Sequence, residues 1–312
     1  MKLIFMGTPD FAVPVLEELI KRGHEVGYAV TQPDRAGNRG RITFSSVKKA
    51  ALVHGITVLQ PENLNKAQEC KRTINDFAPE AIVVVAYGQI LKKEILNAPK
   101  YGCFNVHASL LPKFRGAAPM QHAILSGEQK TGITVMRMNE GLDEGDIAAK
   151  AETCIGDKNF RDIHDELSEM GAVLMADTLQ LLENGEITYA VQDSEAATYA
   201  PKITKSDGKI DFGKRAEAVR RQIRAFDPWP GAFCEYKDKK LKIWNGTESW
   251  DKATCGEDVS PGEIVAASAQ GLYVACGEGT LKITELQLQG KKRMHISNFI
   301  RGTKIKTGEI LF

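Results

Sequence analysis

Asn105, His107 and Asp143 have the types and spacing to handle an acyl group. Asn105 and His107 fall two apart in the strand-like piece Gly102 to His107, which ends at Ala108-Ser109-Leu110-Leu111-Pro112. Side chains two apart on a strand share one face. A carboxamide and an imidazole side by side at a strand end suit polarising a carbonyl and holding a developing oxyanion. A single histidine is more often hydrogen-bonded within its fold, and the neighbouring Asn narrows those odds without reversing them. Asp143 lies in Asn139-Glu140-Gly141-Leu142-Asp143-Glu144-Gly145-Asp146, directly after a strand-like piece ending at Met138. Gly141 and Gly145 bracket it and permit an unusual backbone path. A carboxylate there could pair with His107 and relay a proton. The plainer alternative is an acidic turn; the spacing of an EF-hand calcium loop is not met.

The elements that must position these groups alternate between strand and helix. Lys2 to Met6 reads as a short buried strand, broken by Gly7-Thr8-Pro9-Asp10, and a helical pattern follows from Phe11 to Lys21, stopped at Gly23. Glu25 to Thr31 is a second strand. Helical patterns cover roughly Val47 to His54 and Asn65 to Phe77. Ala81 to Ala86 is a β-branched run without polar alternation, as expected for a central strand buried on both faces. With further strands at Gly102 to His107 and Gly132 to Met138, the pattern is that of an α/β domain on a parallel sheet. The longest helix is predicted over Phe160 to Leu182, stopped by Asn184-Gly185. Beyond about residue 205 the texture changes to short alternating pieces between Gly, Asp and Pro turns, which reads as a small β-barrel. The expected organisation is a first domain over 1–188, a linker over 189–205 and a second domain over 206–312. The first turn, Gly7-Thr8-Pro9-Asp10-Phe11, holds one glycine where a dinucleotide fold needs three, so a nicotinamide or flavin reading fails.

Composition bounds the class. The 312 residues are long for one core, and 43% hydrophobic with 26% charged side chains is ordinary for a globular protein. A net charge of +1 points to no partner, although the excess of basic residues is concentrated after residue 206. The six cysteines are scattered without C-x-x-C pairs, which predicts free thiols in a reducing compartment and no structural zinc. No apolar run approaches the ~18 residues of a membrane span, and the N-terminus lacks a signal h-region. The chain is expected to be cytoplasmic, metal-free and monomeric.

The Asn-x-His strand end, the Ser109-Leu110-Leu111-Pro112 turn and the later Asp143 together resemble the folate-dependent formyltransferases. The likeness extends through FMGTPDFAVPVLEELI, VTQPDRAGNRGR, VVVAYGQIL, HASLLPKFRGAAPMQHAI, TGITVMRMNEGLDEGD and IRAFDPWPGAF, nearly the whole chain, and is nearest the members that act on methionyl-tRNA. That resemblance implies a Rossmann-like formyltransferase domain followed by an OB-like β-barrel. It implies 10-formyltetrahydrofolate as co-substrate and methionyl initiator tRNA as acceptor. Asn105 and His107 would stabilise the tetrahedral oxyanion, with Asp143 keeping His107 charged and taking the proton of the attacking amine. Ser109, Leu110, Leu111 and Pro112 would line the folate site, with Tyr87 and Gly88 walling it through backbone groups.

Two basic groups complete the reading. Arg35, Arg39 and Arg41 lie among Gly37 and Gly40 in a stretch that reads as a loop. By residues alone a solvated loop is equally good; the resemblance implies a wedge against the tRNA acceptor stem. The chain departs from the family pattern here, carrying Thr43-Phe44-Ser45-Ser46 where Thr-Pro-Ser-Pro is usual. Lys214, Arg220, Arg221 and Arg224 form a second group, with positions 214, 221 and 224 approximating one helical face that could track phosphates. A solvated helix face with Glu217 as partner is the plainer alternative. Lys291, Lys292 and Arg293 form a third cluster.

Overall fold

The computed structural model describes residues 1–36, 42–249 and 259–312. The chain divides into two compact units. The first comprises Met1–Pro119, Lys130–Cys154 and His164–Ala200; the second comprises Met120–Gln129, Ile155–Ile163 and Pro201–Phe312.

The first unit is built on a seven-stranded sheet. Its strands are β1 (Lys2–Gly7), β2 (Glu25–Val30), β5 (Thr57–Leu59), β6 (Ala81–Val85), β7 (Cys103–His107), β9 (Lys130–Arg137) and β10 (Asp146–Cys154). Two-residue strands fill the remaining numbers: β3 (Arg35–Ala36) pairs with β4 (Ile42–Thr43), and β8 (Arg115–Gly116) pairs with β11 (Tyr199–Ala200). The order in the large sheet is β10-β9-β7-β6-β1-β2-β5. Pairings from β7 to β5 are parallel, whereas β7–β9 and β9–β10 are antiparallel. The five-stranded parallel part follows from the predicted strand–helix alternation. β6 is buried at every position, as its unbroken apolar run requires. β10 was not visible in the sequence, because Asp-Ile-Ala-Ala-Lys-Ala-Glu-Thr-Cys is poor in β-formers and half exposed. Its strand character comes from an eight-pair register with β9.

Local signals fix the helices. Ser45 caps the helix Ser46–Val53, its hydroxyl accepting from the Lys48 N–H at 3.1 Å. Pro14 sits in the first turn of Val13–Lys21, and Gly23 follows its end at φ +83°. The predicted long helix runs Phe160–Asn184. Among the described residues no helix is long and apolar enough to cross a membrane.

The second unit holds an antiparallel sheet of β12 (Phe233–Tyr236), β13 (Lys239–Ser249), β14 (Ile264–Ser268), β15 (Gly271–Ala275), β16 (Thr280–Leu288) and β17 (Met294–His295). Leu241, Ile243, Leu272, Val274, Leu281, Ile283 and Leu286 form its core with Val219 and Ile223 of the helix Ala216–Ala225. The chain end is stitched on by backbone bonds between Phe312 and Glu235, at 2.6 and 3.0 Å. The Tyr236 hydroxyl donates to Glu309 at 2.7 Å; that bond, with Lys237 beside it, lowers the Glu309 carboxyl to about 2.

β9 and β10 approach so closely at Gly132 that an added Cβ would lie 2.0 Å from the Ala151 carbonyl oxygen and 2.7 Å from a Leu110 methyl. Backbone cannot yield as a side-chain tip can. Gly132→Ala should therefore destabilise the first unit by about 2–3 kcal/mol, read as a lowered urea midpoint with unchanged m-value.

Candidate active site

The carboxy end of β7 carries the site. Residues of one strand parity bring the Asn105 and His107 side chains to the same side, and the loop after β9 brings Asp143 to both. The Asn105 amide points to Asp143 Oδ1 at 3.4 Å, and His107 Nδ1 lies 3.7 Å from Asp143 Oδ2. The expected juxtaposition of the three is therefore present. His107 is 6% exposed, and its Nε2 faces the Phe114 carbonyl oxygen at 2.9 Å. A carbonyl can only accept, so the proton on Nε2 is fixed. Its Nδ1 faces the Asp143 carboxylate at ion-pair distance, beyond hydrogen-bond reach.

Asp143 sits at φ +55°, in the left-handed region, where Asp is more tolerated than most residues at some cost. Its Oδ2 also accepts the Gly116 N–H at 2.9 Å. The glycine there is required: φ is +116°, and a Cβ would stand 2.8 Å from the Ala200 carbonyl oxygen. Asn139 Oδ1 accepts the Gly141 N–H at 2.9 Å and folds the start of the same loop.

The Ser109–Pro112 turn divides by side. Ser109 and Leu111 are fully buried, while Leu110 and Pro112 are half-buried and can meet a ligand. The Ser109 hydroxyl donates to the Lys113 carbonyl at 2.6 Å and is occupied in the turn. Thr134 of β9 holds the turn from below, donating to the Ser109 carbonyl at 2.7 Å and accepting from the Leu111 N–H at 3.1 Å. Tyr87 does not offer its ring: it is 2% exposed in the core with Ile4, Met6 and Val84, and burial pushes its hydroxyl pKa up. Its carbonyl accepts from Gln32 Nε2 at 3.0 Å and from the Thr8 hydroxyl at 3.4 Å. Gly88, exposed at φ +82°, turns the chain beside it.

Several site residues escaped sequence reasoning. Arg115 is 4% exposed and donates through Nε and Nη2 to Gln192 Oε1 at 3.2 and 2.9 Å. Gln192 in turn donates to the carbonyls of Asp143 and Gly145. Thr198 accepts the Phe114 N–H at 2.9 Å and its carbonyl accepts the Arg115 N–H at 2.8 Å. The stretch read as the start of a linker is thus bonded to the site along much of its length. Arg115 stands in the quoted KFRGAAP segment, but nothing in a one-dimensional pattern marks Gln192 as its partner.

The basic residues are placed less uniformly. Arg35 is exposed on β3; Arg39 and Arg41 lie outside the described residues. Lys214 is exposed. Arg220 pairs with Asp157 at 2.8 Å and with Glu248 at 3.4 Å, and Arg221 pairs with Glu217 at 2.9 Å. Arg224 donates to the carbonyls of Gly156 and Lys158. Burial, reinforced by Arg220 and Arg221 nearby, lowers its pKa. These three arginines line a cleft of about 90 Å³ together with Glu128, Glu217 and Glu248. They already hold the second unit together, whatever else they bind.

Two family descriptions match the chain in succession. A family described as formyl transferase matches residues 1–184, and one described as formyl transferase, C-terminal domain, matches residues 202–304. The methionyl-tRNA formyltransferase of Geotalea uraniireducens is 46% identical over 313 residues, covering 100% of this chain and 98% of its own. That of Bacillus subtilis is 45% identical over 313 residues, covering 99% and 97%. Among solved structures, WlaRD, a sugar 3N-formyl transferase, superposes with a TM-score of 0.68 at 20% identity, covering 94% of this chain and 99% of its own. At that identity the likeness is one of fold.

Thr134→Val keeps the shape of a fully buried side chain while removing both bonds to the turn. It should cost about 1–3 kcal/mol in denaturant unfolding, since the Leu111 N–H and the Ser109 carbonyl each lose a partner.

Proposed function

The chain belongs to the formyl transferase family, and from that premise we infer that it transfers the formyl group of 10-formyltetrahydrofolate to the α-amine of methionyl initiator tRNA. The observation that carries the reading is the meeting of Asn105, His107 and Asp143 at one strand end, in a chain alike over its full length to methionyl-tRNA formyltransferases.

The chemistry is assigned to residues as follows. The amine nitrogen attacks the formyl carbon, a C–N bond forms, and the formyl oxygen becomes an oxyanion. Asn105 supplies an N–H donor to it. With both ring nitrogens protonated, His107 opposes it with a positive charge in a site shielded from water. Because Nε2 is engaged with Phe114, the ring acts through charge in this conformation rather than by a direct bond. Asp143 takes the proton that the amine sheds, directly or through one water. Collapse of the intermediate breaks the bond to N10 of the folate, and the proton taken up by Asp143 passes to N10 as it leaves, restoring the carboxylate. Leu110 and Pro112, with the backbone of Tyr87 and Gly88, form the folate wall. The donor is already an activated amide, so these groups suffice for the transfer.

The acceptor is assigned to the basic residues. Arg35, with Arg39 and Arg41, forms the wedge that places the acceptor end, and the second unit tracks phosphates through Lys214 and the exposed edges of Arg220, Arg221 and Arg224.

The direct assay incubates the protein with 10-formyltetrahydrofolate and charged initiator tRNA and measures formylmethionine. His107→Ala should lower the rate by roughly 10²- to 10³-fold with folate binding retained. Asp143→Asn should cause a comparable loss. Glu144→Gln, whose carboxylate is nearly half exposed, should stay within about threefold. Equal losses at 143 and 144 would replace one placed carboxylate by a diffuse acidic field.

Phosphate contacts make affinity fall with salt in proportion to the charges engaged. Neutralising Lys214, Arg221 and Arg224 together should raise the apparent KM for tRNA and flatten its salt dependence, leaving the folate KM unchanged. A salt series of initial rates checks this, and an unchanged slope would leave these residues as internal fasteners alone.

A further inference from the structure

The Asp143 turn is gripped from behind by a side chain to which no role has been given. Gln192 is 7% exposed, and its amide nitrogen donates to the Asp143 carbonyl at 2.8 Å and to the Gly145 carbonyl at 2.7 Å. Its carbonyl oxygen accepts two bonds from the Arg115 guanidinium. All four hydrogen-bonding positions of the carboxamide are therefore filled. The orientation is forced: reversed, the amide nitrogen would meet a cation and the oxygen would meet two carbonyls. Arg115 is itself nearly inaccessible, and its remaining arm reaches Glu144 at 3.4 Å.

This network lies at a strained point of the backbone. Asp143 occupies the left-handed region at φ +55° without the freedom of a glycine, and its neighbour Leu142 is half exposed. A turn so placed persists only when its surroundings over-determine it. The carboxylate end is fixed by the Gly116 N–H, and the peptide end is fixed by Gln192. Both anchors are tied to the segment 190–200: Gly116 through its pairing with Ala200, and Gln192 as a member of it. Ala190 bonds to Ile147 in both directions, at 2.8 and 2.9 Å, securing the far side.

We propose that Gln192, oriented by the buried Arg115, is a positioning residue that holds the Asp143 turn so that its carboxylate faces His107 and the attacking amine. Gln192 touches no reacting atom; it acts through Asp143. The proposal rests on the assignment of Asp143 to proton transfer. Misplacing a catalytic group by about 1 Å costs on the order of 10²-fold in rate.

The test is a double-mutant cycle on the steady-state kinetics of the formylation reaction. Gln192→Met keeps length and volume but removes every hydrogen bond. Gln192→Glu keeps an acceptor for Arg115 and removes both donors to the turn, and serves if the Met variant does not stay folded by thermal unfolding. Either change should lower kcat by roughly 10- to 100-fold, with the KM values for folate and tRNA within about threefold. In an Asp143→Asn background the same change should cost less than about twofold, because the group it positions is already disabled. An equal cost in both backgrounds, or a loss confined to KM, would overturn the proposal and leave Gln192 as a structural residue. Full activity of Asp143→Asn alone would instead remove the assignment on which it rests.

Discussion

A carboxylate held beside a buried imidazole sets the terms for the rest of the first unit. Asp143 faces His107 from a left-handed turn, with donors on its carboxylate oxygens and on its backbone carbonyl. Gly116, Asn105 and Gln192 supply those bonds from three separate parts of the chain. Other features follow from the same need. Gly116 must be glycine, β8 and β11 must pair to present its N–H, and Arg115 must be buried to orient Gln192. The sheet supplies the fixed end through β7 and β9, whose antiparallel pairing sets Asn105 against Met136 and His107 against Thr134.

Much of this could be read from the sequence where the signal is local. The two-residue spacing of Asn105 and His107 places them on one face of any strand. The apolar run at Ala81 to Ala86 reads as a central strand, and β6 is buried throughout. The glycines around Asp143 permitted a turn of unusual path. The unreadable parts are those fixed by distant partners. Asp143 and Gln192 are 49 positions apart, Phe114 and Thr198 are 84 apart, and neither pair leaves a periodic trace. β10 was missed for a related reason: its Ala-, Lys- and Glu-rich residues become a strand only because β9 offers an edge.

The basic residues show how a charge pattern can be right in placement and incomplete in meaning. Lys214, Arg221 and Arg224 do lie on or beside one short helix. Yet Arg221 and Arg224, with Arg220, spend much of their hydrogen-bonding capacity on Glu217, Asp157, Glu248 and the carbonyls of Gly156 and Lys158. Charge counting sees donors; only the fold shows which are already committed. Lys214, exposed at the edge of the run, retains the character that the pattern assigned to all of them.

The two family matches end at residue 184 and resume at residue 202, and the chain between them would pass for a hinge. Its hydrogen bonds say otherwise, since the stretch 190–200 is bonded to the segments that carry Phe114, Gly116 and Asp143. This bears on recombination between relatives. A chimera spliced at the end of the first match would inherit Asn105, His107 and Asp143 from one parent and their bracing from the other. It would be whole by inventory and mismatched in geometry. A crossover after Ala200 keeps the site and its bracing in one lineage, and then Asp157, Gly156 and Lys158 must suit the Arg220 and Arg224 of the other parent.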